Sequence, residues 1–412
     1  MCKLDPSSVR KSVLGKAIAA LLLSLALASV LFASDHFDSP ATIANPAADI
    51  GDVYAWTSTE GRKLNLVMTI QGHSFSDKVD YVFHIDSGNA FGRTSASTSV
   101  RCRFASANQA NCKVGNSDSA SGNPTQPTGL EGRNHRFRVY AGLRDDPFYN
   151  NLKGLMAAYT VANGAIRNGA AVDATGCAHF DDVTVKMIRD QMTHTDGGSA
   201  QNFLGNWTVS AIVVSVDLGV VSTGGNLLAV WGATSIAGKP LDRAAQPFVK
   251  NTLIGVAPFS SDDASNVRRE EFDAAGPTTS VQFIVDLEKT LAFQDSLDGK
   301  CGNQLLAEPA ESASRYRALA TLFAVDRLWV NSASAVCTQF FAVELASLTG
   351  ENDLSADCGG RSPTYDAPNV WRSLLIAGTP TGVTDGLHQD EHPPSATVFP
   401  FLAPPDPNGV NH

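Results

Sequence analysis

Hydrophobic and polar residues alternate along much of the first half of the chain, a pattern typical of β-strands with one buried face. In "KLNLVMTI", the apolar residues Leu64, Leu66, Met68 and Ile70 occupy every second position. "YVFHID" and "HRFRVY" repeat this alternation, whereas "VSAIVVSVDL" is almost continuously apolar and predicts a central strand covered on both faces. Segments rich in Gly, Ser and Asn separate these runs and indicate loops.

The second half has helical spacing instead. Phe283, Leu287 and Leu291 recur every four residues, and "SRYRALATLFAVDRLW" also follows the helical period. "FFAVELASLTG" indicates a short helix that ends near Gly350. Because the strands come first and the helices later, the pattern predicts an α+β fold that is mainly β.

We therefore expect a single elaborated domain over residues 34–412, built on an antiparallel β-sandwich-like core. The β core is predicted over residues 34–240 and a helical portion over 241–375. The tail, residues 376–412, is expected to pack back on the β core, because Val398, Phe399 and Phe401 are too apolar to remain in water.

Residues 1–33 have the features of a secretory signal peptide, with basic residues before an apolar run from Ala17 to Ala33. An uncleaved anchor is the alternative, because the run has the minimum length of a membrane span. Cleavage would leave 27 basic and 40 acidic residues, a net charge near −13. We expect a periplasmic or secreted protein with no membrane span after cleavage, no nucleic-acid partner, and an unknown protein or small-molecule partner.

The cysteines support export. An even number remains after residue 33, which favours three disulfides in an oxidising compartment. These residues are Cys102, Cys112, Cys177, Cys301, Cys337 and Cys358. The first two flank a short polar segment and would link a hairpin. The other four allow three pairings, of which Cys337 with Cys358 is preferred; a thiolate metal site is disfavoured because the chain lacks Cys-x-x-Cys spacing.

Candidate chemistry begins in "SDHFDSPATIANPAADIGDVYAW". His36 and Asp38 lie two residues apart, on one face of an extended chain, and a turn would return Asp49 and Asp52 to the same edge. Carboxylates with an imidazole suit calcium, manganese or iron. The alternative is that these aspartates bond nearby backbone amides in turns. The segment therefore predicts either a metal-binding edge or a hydrogen-bonded lock on the first strand.

A second acidic group lies in "GLRDDPF", where Asp145 and Asp146 precede a helix predicted to begin near Phe148. An Asp in this position usually caps the helix. Adjacent carboxylates also complete metal sites, so both interpretations remain open.

The chain lacks the Gly-x-Ser-x-Gly, phosphate-loop, Rossmann and haem-attachment motifs, which removes support for common hydrolases and nucleotide enzymes. "HQDEH", residues 388–392, formally matches the inverted zinc-protease pattern His-x-x-Glu-His. That motif requires a helix, and here a glycine precedes it and two prolines follow it. We therefore interpret it as a solvated acidic turn.

Several segments together resemble a bacterial exported family, domain-of-unknown-function family 4331. They are "SDHFDSP", "PAADIGDVYAW", "VYAGLRDDPF", "CGGRSPTYDAPNVWRSLLIAG" and "DGLHQDEHPPSATVFPFLAPP". The resemblance extends over essentially the whole chain after residue 33 and implies an exported, β-rich protein of one long domain, without an activity. The chain departs from it after Ile85, where "DSGNAFG" replaces a calcium-loop-like stretch, and "HQDEH" is not part of the shared pattern.

The leading functional hypothesis is an exported envelope protein of unknown activity, a disulfide-linked β scaffold for binding or structure that holds a divalent cation such as calcium. The candidate metal ligands are His36, Asp38, Asp49, Asp52, Asp145 and Asp146. The alternative is a metal-dependent periplasmic enzyme, an oxidoreductase or hydrolase, in which His36, Asp38, Asp52 and Asp145 hold the metal. No catalytic residue is assigned.

Overall fold

A computed structural model describes residues 39–255, 262–309 and 312–407. The signal peptide predicted for residues 1–33 lies outside them. In these ranges the chain forms β1 (Ile50–Thr57), β2 (Lys63–Ile70), β3 (Val79–Gly88), β4 (Ala96–Ser106), β5 (Gln109–Val114), β6 (Asp118–Gly122), β7 (Leu130–Glu131), β8 (Phe137–Asp145), β9 (Ala171–Val172), β10 (Ala178–His179), β11 (His194–Thr195), β12 (Gly198–Ser199), β13 (Thr208–Asp217), β14 (Leu227–Ile236), β15 (Lys239–Ala244) and β16 (Leu328–Asn331).

The strands form antiparallel sheets. The first larger sheet has the order β1-β2-β13-β8-β7, and the second has the order β15-β14-β3-β4-β5-β6, with β16 also paired to β14. β9 pairs with β10 and β11 with β12 in two small hairpins. The fold is α+β, as the sequence predicts.

The two larger sheets share one hydrophobic core. Met68 and Ile212 from the first sheet and Phe83 and Val100 from the second belong to the same buried cluster. Gly232 of β14 marks a close approach, because a Cβ atom there would lie 2.7 Å from the Met68 side chain. The alternating pattern therefore turns apolar side chains of both sheets toward each other.

Strand β2 differs from its sequence pattern. The alternation in "KLNLVMTI" predicts one buried face, yet all residues after Lys63 are buried. The second face is covered because Val67 packs in a separate cluster with Cys358, Phe401 and Leu402, which come from the end of the chain.

The helices are α1 (Pro40–Ala44), α2 (Leu152–Arg167), α3 (Asp182–Met192), α4 (Leu218–Val221), α5 (Asp263–Ala274), α6 (Ile284–Asp295), α7 (Arg317–Val325), α8 (Ala342–Leu348) and α9 (Ala367–Ala377). A single π-helical turn spans Val249–Leu253. Five of these helices lie after residue 241, where a helical portion is predicted.

The first half is more helical than its strand pattern indicates, because α2 and α3 interrupt it. The helix expected near Phe148 begins at Leu152 instead. Asn151 caps it, since its side-chain oxygen accepts a hydrogen bond from the Gly154 N–H at 3.2 Å. Asp146 therefore lies too far upstream to act as the cap.

The described residues contain three disulfides, in agreement with the prediction from the cysteine count. Cys102–Cys112 joins directly opposed residues of β4 and β5. Of the pairings that the sequence left open, the structure contains Cys177–Cys301 together with Cys337–Cys358.

The tail lies against the outer face of the first sheet, as expected, but Val398 is 68 % exposed and does not take part in this packing. The Phe401 ring lies 4.8 Å from the Trp56 ring, and the Arg138 guanidinium lies 4.2 Å from the centre of the Phe399 ring. None of the helices in the described part of the chain has the length and hydropathy of a membrane span.

Candidate metal centre

Three polar side chains meet at the end of β8. One potential ligand atom from each of Asp145, Asp390 and His392 lies within 4.8 Å of the other two. The Nδ1 atom of His392 lies 3.2 Å from Oδ1 of Asp145. Asp145 and Asp390 are only 2 % and 3 % exposed, whereas the His392 side chain is 39 % exposed. The group is therefore buried on its carboxylate side and reaches solvent through the imidazole.

The chain holds these residues through local hydrogen bonds. The backbone N–H of Asp145 donates to the Ala403 carbonyl at 3.2 Å, which ties the strand end to the tail. Asp390 accepts from the backbone N–H of His392 at 3.1 Å and from the Asn202 amide at 3.1 Å. The Asp390 turn thus orients both the carboxylate and the imidazole before any ligand is bound.

The segment before this turn is anchored as well. Oδ2 of Asp385 accepts from the Asn151 N–H at 3.0 Å and from the Arg372 guanidinium at 3.1 Å. The Tyr149 hydroxyl donates to the His388 carbonyl at 3.0 Å. The interpretation of "HQDEH" as a solvated turn is therefore wrong for Asp390, although His388 and Glu391 are exposed.

Further buried charged residues form a second layer behind the group of Asp145, Asp390 and His392. Asp146 is 1 % exposed, and its Oδ1 accepts from the Phe148 N–H at 3.2 Å. Its Oδ2 has no hydrogen-bond partner among the described residues. Asp52 of β1 contacts the buried Arg361, with Oδ1 and Nη1 2.5 Å apart, and the Arg361 guanidinium lies 4.2 Å from the centre of the Tyr54 ring.

Burial and mutual repulsion disfavour ionisation in this cluster. Burial, together with the Glu391 and Asp145 side chains, raises the pKa of Asp390 to about 9. Burial also raises the pKa of Asp145. For Asp146, burial and the charges of Asp52 and Asp145 raise the pKa well above its ordinary value.

The four aspartates Asp52, Asp145, Asp146 and Asp390 face two cationic groups, the Arg361 guanidinium and, when protonated, the His392 imidazole. Isolated buried carboxylates are strongly unfavourable, so such a cluster retains a proton or takes up a cation. A divalent cation would neutralise the excess charge and displace the proton.

The donor set fits a metal ion. Two ligands of a tetrahedral ion, each ~2.1 Å from it, are ~3.4 Å apart, and the His392–Asp145 separation is 3.2 Å, which is also a hydrogen-bond distance. Calcium prefers oxygen ligands, whereas imidazole favours transition metals. One imidazole with two carboxylates therefore suits zinc or manganese better than the calcium expected from the sequence.

A second group, Asp173, His179 and Cys301, also brings three ligand atoms within 4.8 Å of one another. Cys301 is in a disulfide with Cys177, so its sulfur is not a thiolate and is a poor metal ligand. This group is the weaker candidate.

The predicted ligands fall into separate sets. His36 and Asp38 lie outside the described residues. Asp49 is fully buried where the chain enters β1, and its carbonyl accepts from the Gln71 N–H at 3.0 Å; it is not part of the Asp145 group. Asp52 binds Arg361.

Of the predicted ligands, only Asp145 belongs to the three-residue group, and Asp146 lies behind it in the second layer. Asp390 and His392 were missed as ligands. The signal for both was the "HQDEH" pattern, which was interpreted as a solvated turn because the flanking glycine and prolines do not fit the helix of a zinc protease.

The family-model, curated-protein and solved-structure comparisons give no match for this chain, so the resemblance to domain-of-unknown-function family 4331 stays a prediction.

Proposed function

We propose that this protein is an exported, disulfide-linked binding or structural protein of the envelope whose C-terminal segment is fastened by a divalent cation. Asp145, Asp390 and His392 would hold the ion, with zinc or manganese as the preferred metal. The convergence of two buried carboxylates and one imidazole within 4.8 Å carries the proposal.

The unpartnered oxygen of Asp146 supports this proposal independently. A buried carboxylate oxygen without a hydrogen bond is unfavourable, by about 1–3 kcal/mol or more for a charged group. A cation at the neighbouring Asp145 would stabilise the Asp146 charge electrostatically. The positive charge of the ion would add to that of Arg361 in stabilising Asp146.

The surroundings favour a structural rather than a catalytic ion. Catalytic sites lie in clefts that admit a substrate. With three protein ligands, this site would leave the fourth position of a tetrahedral ion to water. The two aspartates are buried, and five cavities of the described surface are lined by other residues. The ion would join the end of β8 to the segment around Asp390, 245 residues later in the sequence.

Replacement of His392 by alanine tests the proposal. We expect the purified exported protein to contain near-stoichiometric metal, and the variant to bind zinc or manganese at least ~30-fold more weakly because one of three ligands is lost. The measurement is elemental mass spectrometry followed by calorimetric titration with Zn²⁺, Mn²⁺ and Ca²⁺.

His388→Ala is the matched control. It removes an imidazole four residues earlier, which is exposed and contacts Asp366 rather than Asp145. Equal metal affinity in the two variants, or a wild-type protein that binds none of the three ions, would disprove the site. Retention of the melting temperature in chelator would confirm that His392→Ala still folds.

The pH dependence of stability gives a second prediction. The folded-state pKa of Asp390, about 9, exceeds its unfolded value near 3.9. The native state therefore holds more protons between these pH values, and the free energy of unfolding in chelator should fall as the pH rises from about 5 to 9. With metal bound the proton is displaced, so stabilisation by the metal should increase over the same interval.

Thermal melts at several pH values, with chelator and with Zn²⁺, measure both trends. Glu344 contributes with the same sign, because burial raises its pKa to about 8. The decisive quantity is therefore the difference between wild type and Asp390→Asn, which removes the titration of Asp390 and leaves that of Glu344 in place. A chelated wild type and an Asp390→Asn variant with parallel pH profiles would refute the assignment.

A further inference from the structure

The outward face of β4 and β5 has a concentration of positive charge. Val100 and Cys102 point into the core, so the alternate residues Arg101 and Arg103 point outward. On β5, Lys113 lies directly opposite Arg101, and Asn111 lies opposite Arg103. Three cations therefore occupy adjacent positions on one exposed surface, although the chain as a whole has a net charge of −10.

Sheet formation does not account for this arrangement. Like charges directly opposite each other on neighbouring strands are destabilising. Arg103 is compensated by Asp80, whose Oδ2 lies 2.7 Å from its Nη2. Among the described residues, neither Arg101 nor Lys113 forms an ion pair or a side-chain hydrogen bond. Their charges are thus available to a ligand.

The cations line an open groove of about 620 Å³, together with Ser99, Asn111 and Asn116. Successive outward residues of a strand are ~6.6 Å apart, and neighbouring strands are ~4.8 Å apart. The charges are therefore spread over an extended surface rather than focused on one point, and hydroxyl and amide groups lie between them.

We propose that this groove is a docking surface for an acidic polysaccharide, a chain of uronic acid residues. Arg101 and Lys113 would bind its carboxylates, and Ser99, Asn111 and Asn116 would bind its hydroxyl groups. The repeated charge of such a polymer matches the spread of the cations. The proposal is independent of the metal centre, which lies on the other larger sheet.

Other polyanions fit less well. Single-stranded nucleic acid binds through aromatic side chains on which its bases stack, and peripheral membrane binding requires apolar side chains that enter the lipid. The residues that line this groove are polar or glycine. Carboxylate and hydroxyl recognition therefore explains the lining best.

The test is the binding of an oligogalacturonate of about twelve residues to the full exported chain, measured by calorimetry at low salt. We expect measurable affinity that falls steeply with ionic strength because the contacts are solvent-exposed charges. The variant Arg101→Glu/Lys113→Glu should bind at least tenfold more weakly. A neutral dextran of similar length should not bind.

Lys186→Glu/Lys289→Glu is the matched control, because it changes the net charge equally at two exposed cations on helices α3 and α6. Its affinity should stay within twofold of wild type. The neutral variant Arg101→Gln/Lys113→Gln provides a second, milder perturbation, and thermal melts confirm folding. Absence of oligogalacturonate binding, equal loss in both charge-reversal variants, or tighter binding to a single-stranded oligonucleotide or phosphatidylglycerol vesicles would overturn the proposal.

Discussion

Replacement of Arg361 by methionine is expected to lower the free energy of unfolding by about 3–5 kcal/mol. Arg361 is 2 % exposed, and its guanidinium lies between Asp52 and the Tyr54 ring. Methionine fills a similar volume but removes the charge that neutralises Asp52 and Asp146. Removal of one partner from a buried ion pair is costly because the other charge remains buried.

Chemical denaturation of the variant measures this loss, and its pH dependence identifies the cause. Burial raises the pKa of Asp146 well above its ordinary value. If the uncompensated charge of Asp146 is responsible, the loss should therefore be smaller at pH 5, where its protonation is favoured, than at pH 8. The control is Arg317→Met, which breaks a pair with Glu288 at an arginine side chain that is 51 % exposed. Such a surface pair contributes about 1 kcal/mol or less. A loss at Arg361 no greater than at Arg317 would contradict the account.

The backbone offers a further reason to assign the loss to charge. The Arg361 N–H donates to the Ala55 carbonyl at 2.8 Å, and the Ala55 N–H donates to the Arg361 carbonyl at 2.9 Å. Both bonds survive the substitution. Stability lost in Arg361→Met therefore reports on the side chain rather than on the pairing of this segment with β1.

Replacement of Phe401 by alanine is the second large effect, with an expected loss of about 3–5 kcal/mol. Phe401 is 4 % exposed, and its ring contacts Trp56 and Phe399 with centroid distances of 4.8 and 5.4 Å. Its φ is +68°, a conformation that a bulky residue rarely adopts. The packing of the ring compensates for the energetic cost of that backbone conformation. We therefore expect Phe401→Ala to lose the packing and the conformation together.

Val398→Ala is the matched control within the same segment. Val398 is 68 % exposed, and a surface substitution changes stability by about 0.5 kcal/mol or less. Equilibrium unfolding followed by tryptophan fluorescence suits the comparison, because Trp56 contacts the Phe401 ring. A Phe401→Ala variant within 1 kcal/mol of wild type would mean that the tail does not stabilise the first sheet.

Strand prediction succeeded where the pattern is local. In β3, Tyr81, Phe83 and Ile85 alternate with polar or smaller residues, and all three belong to the hydrophobic core. The burial of β13 on both faces was also evident, since its apolar run is continuous. Both features follow from the two-residue period of a strand, which can be recognised from a short stretch of sequence alone.

The start of helix α2 was misplaced although its signals are local as well, since the helix was expected near Phe148 and begins at Leu152. Leu152, Leu155 and Tyr159 lie on one buried face at helical spacing. The strand patterns on either side dominated the interpretation of that half. Its position also depends on distant groups, because the capping Asn151 donates its side-chain amide to the Met192 carbonyl at 2.9 Å.

The metal centre shows a different limit. Asp145 was recognised as a candidate because two acids precede a proline, and "HQDEH" was noticed as a motif. Nothing in either segment reveals that His392 lies 3.2 Å from Asp145, since 247 residues separate them. Ala403 and Asn202, which form hydrogen bonds with Asp145 and Asp390 respectively, are also remote in sequence from these partners.

The sequence by itself determined the α+β class, the main strands and the number of disulfides, because alternation and cysteine count depend on residue type and short spacing. Only the tertiary structure decided which carboxylates meet, which are buried, and that the second face of β2 is covered. The physical reason is that pKa values and ligand distances depend on charges and dielectric within a few ångströms, and the folded chain supplies those neighbours from segments hundreds of residues apart.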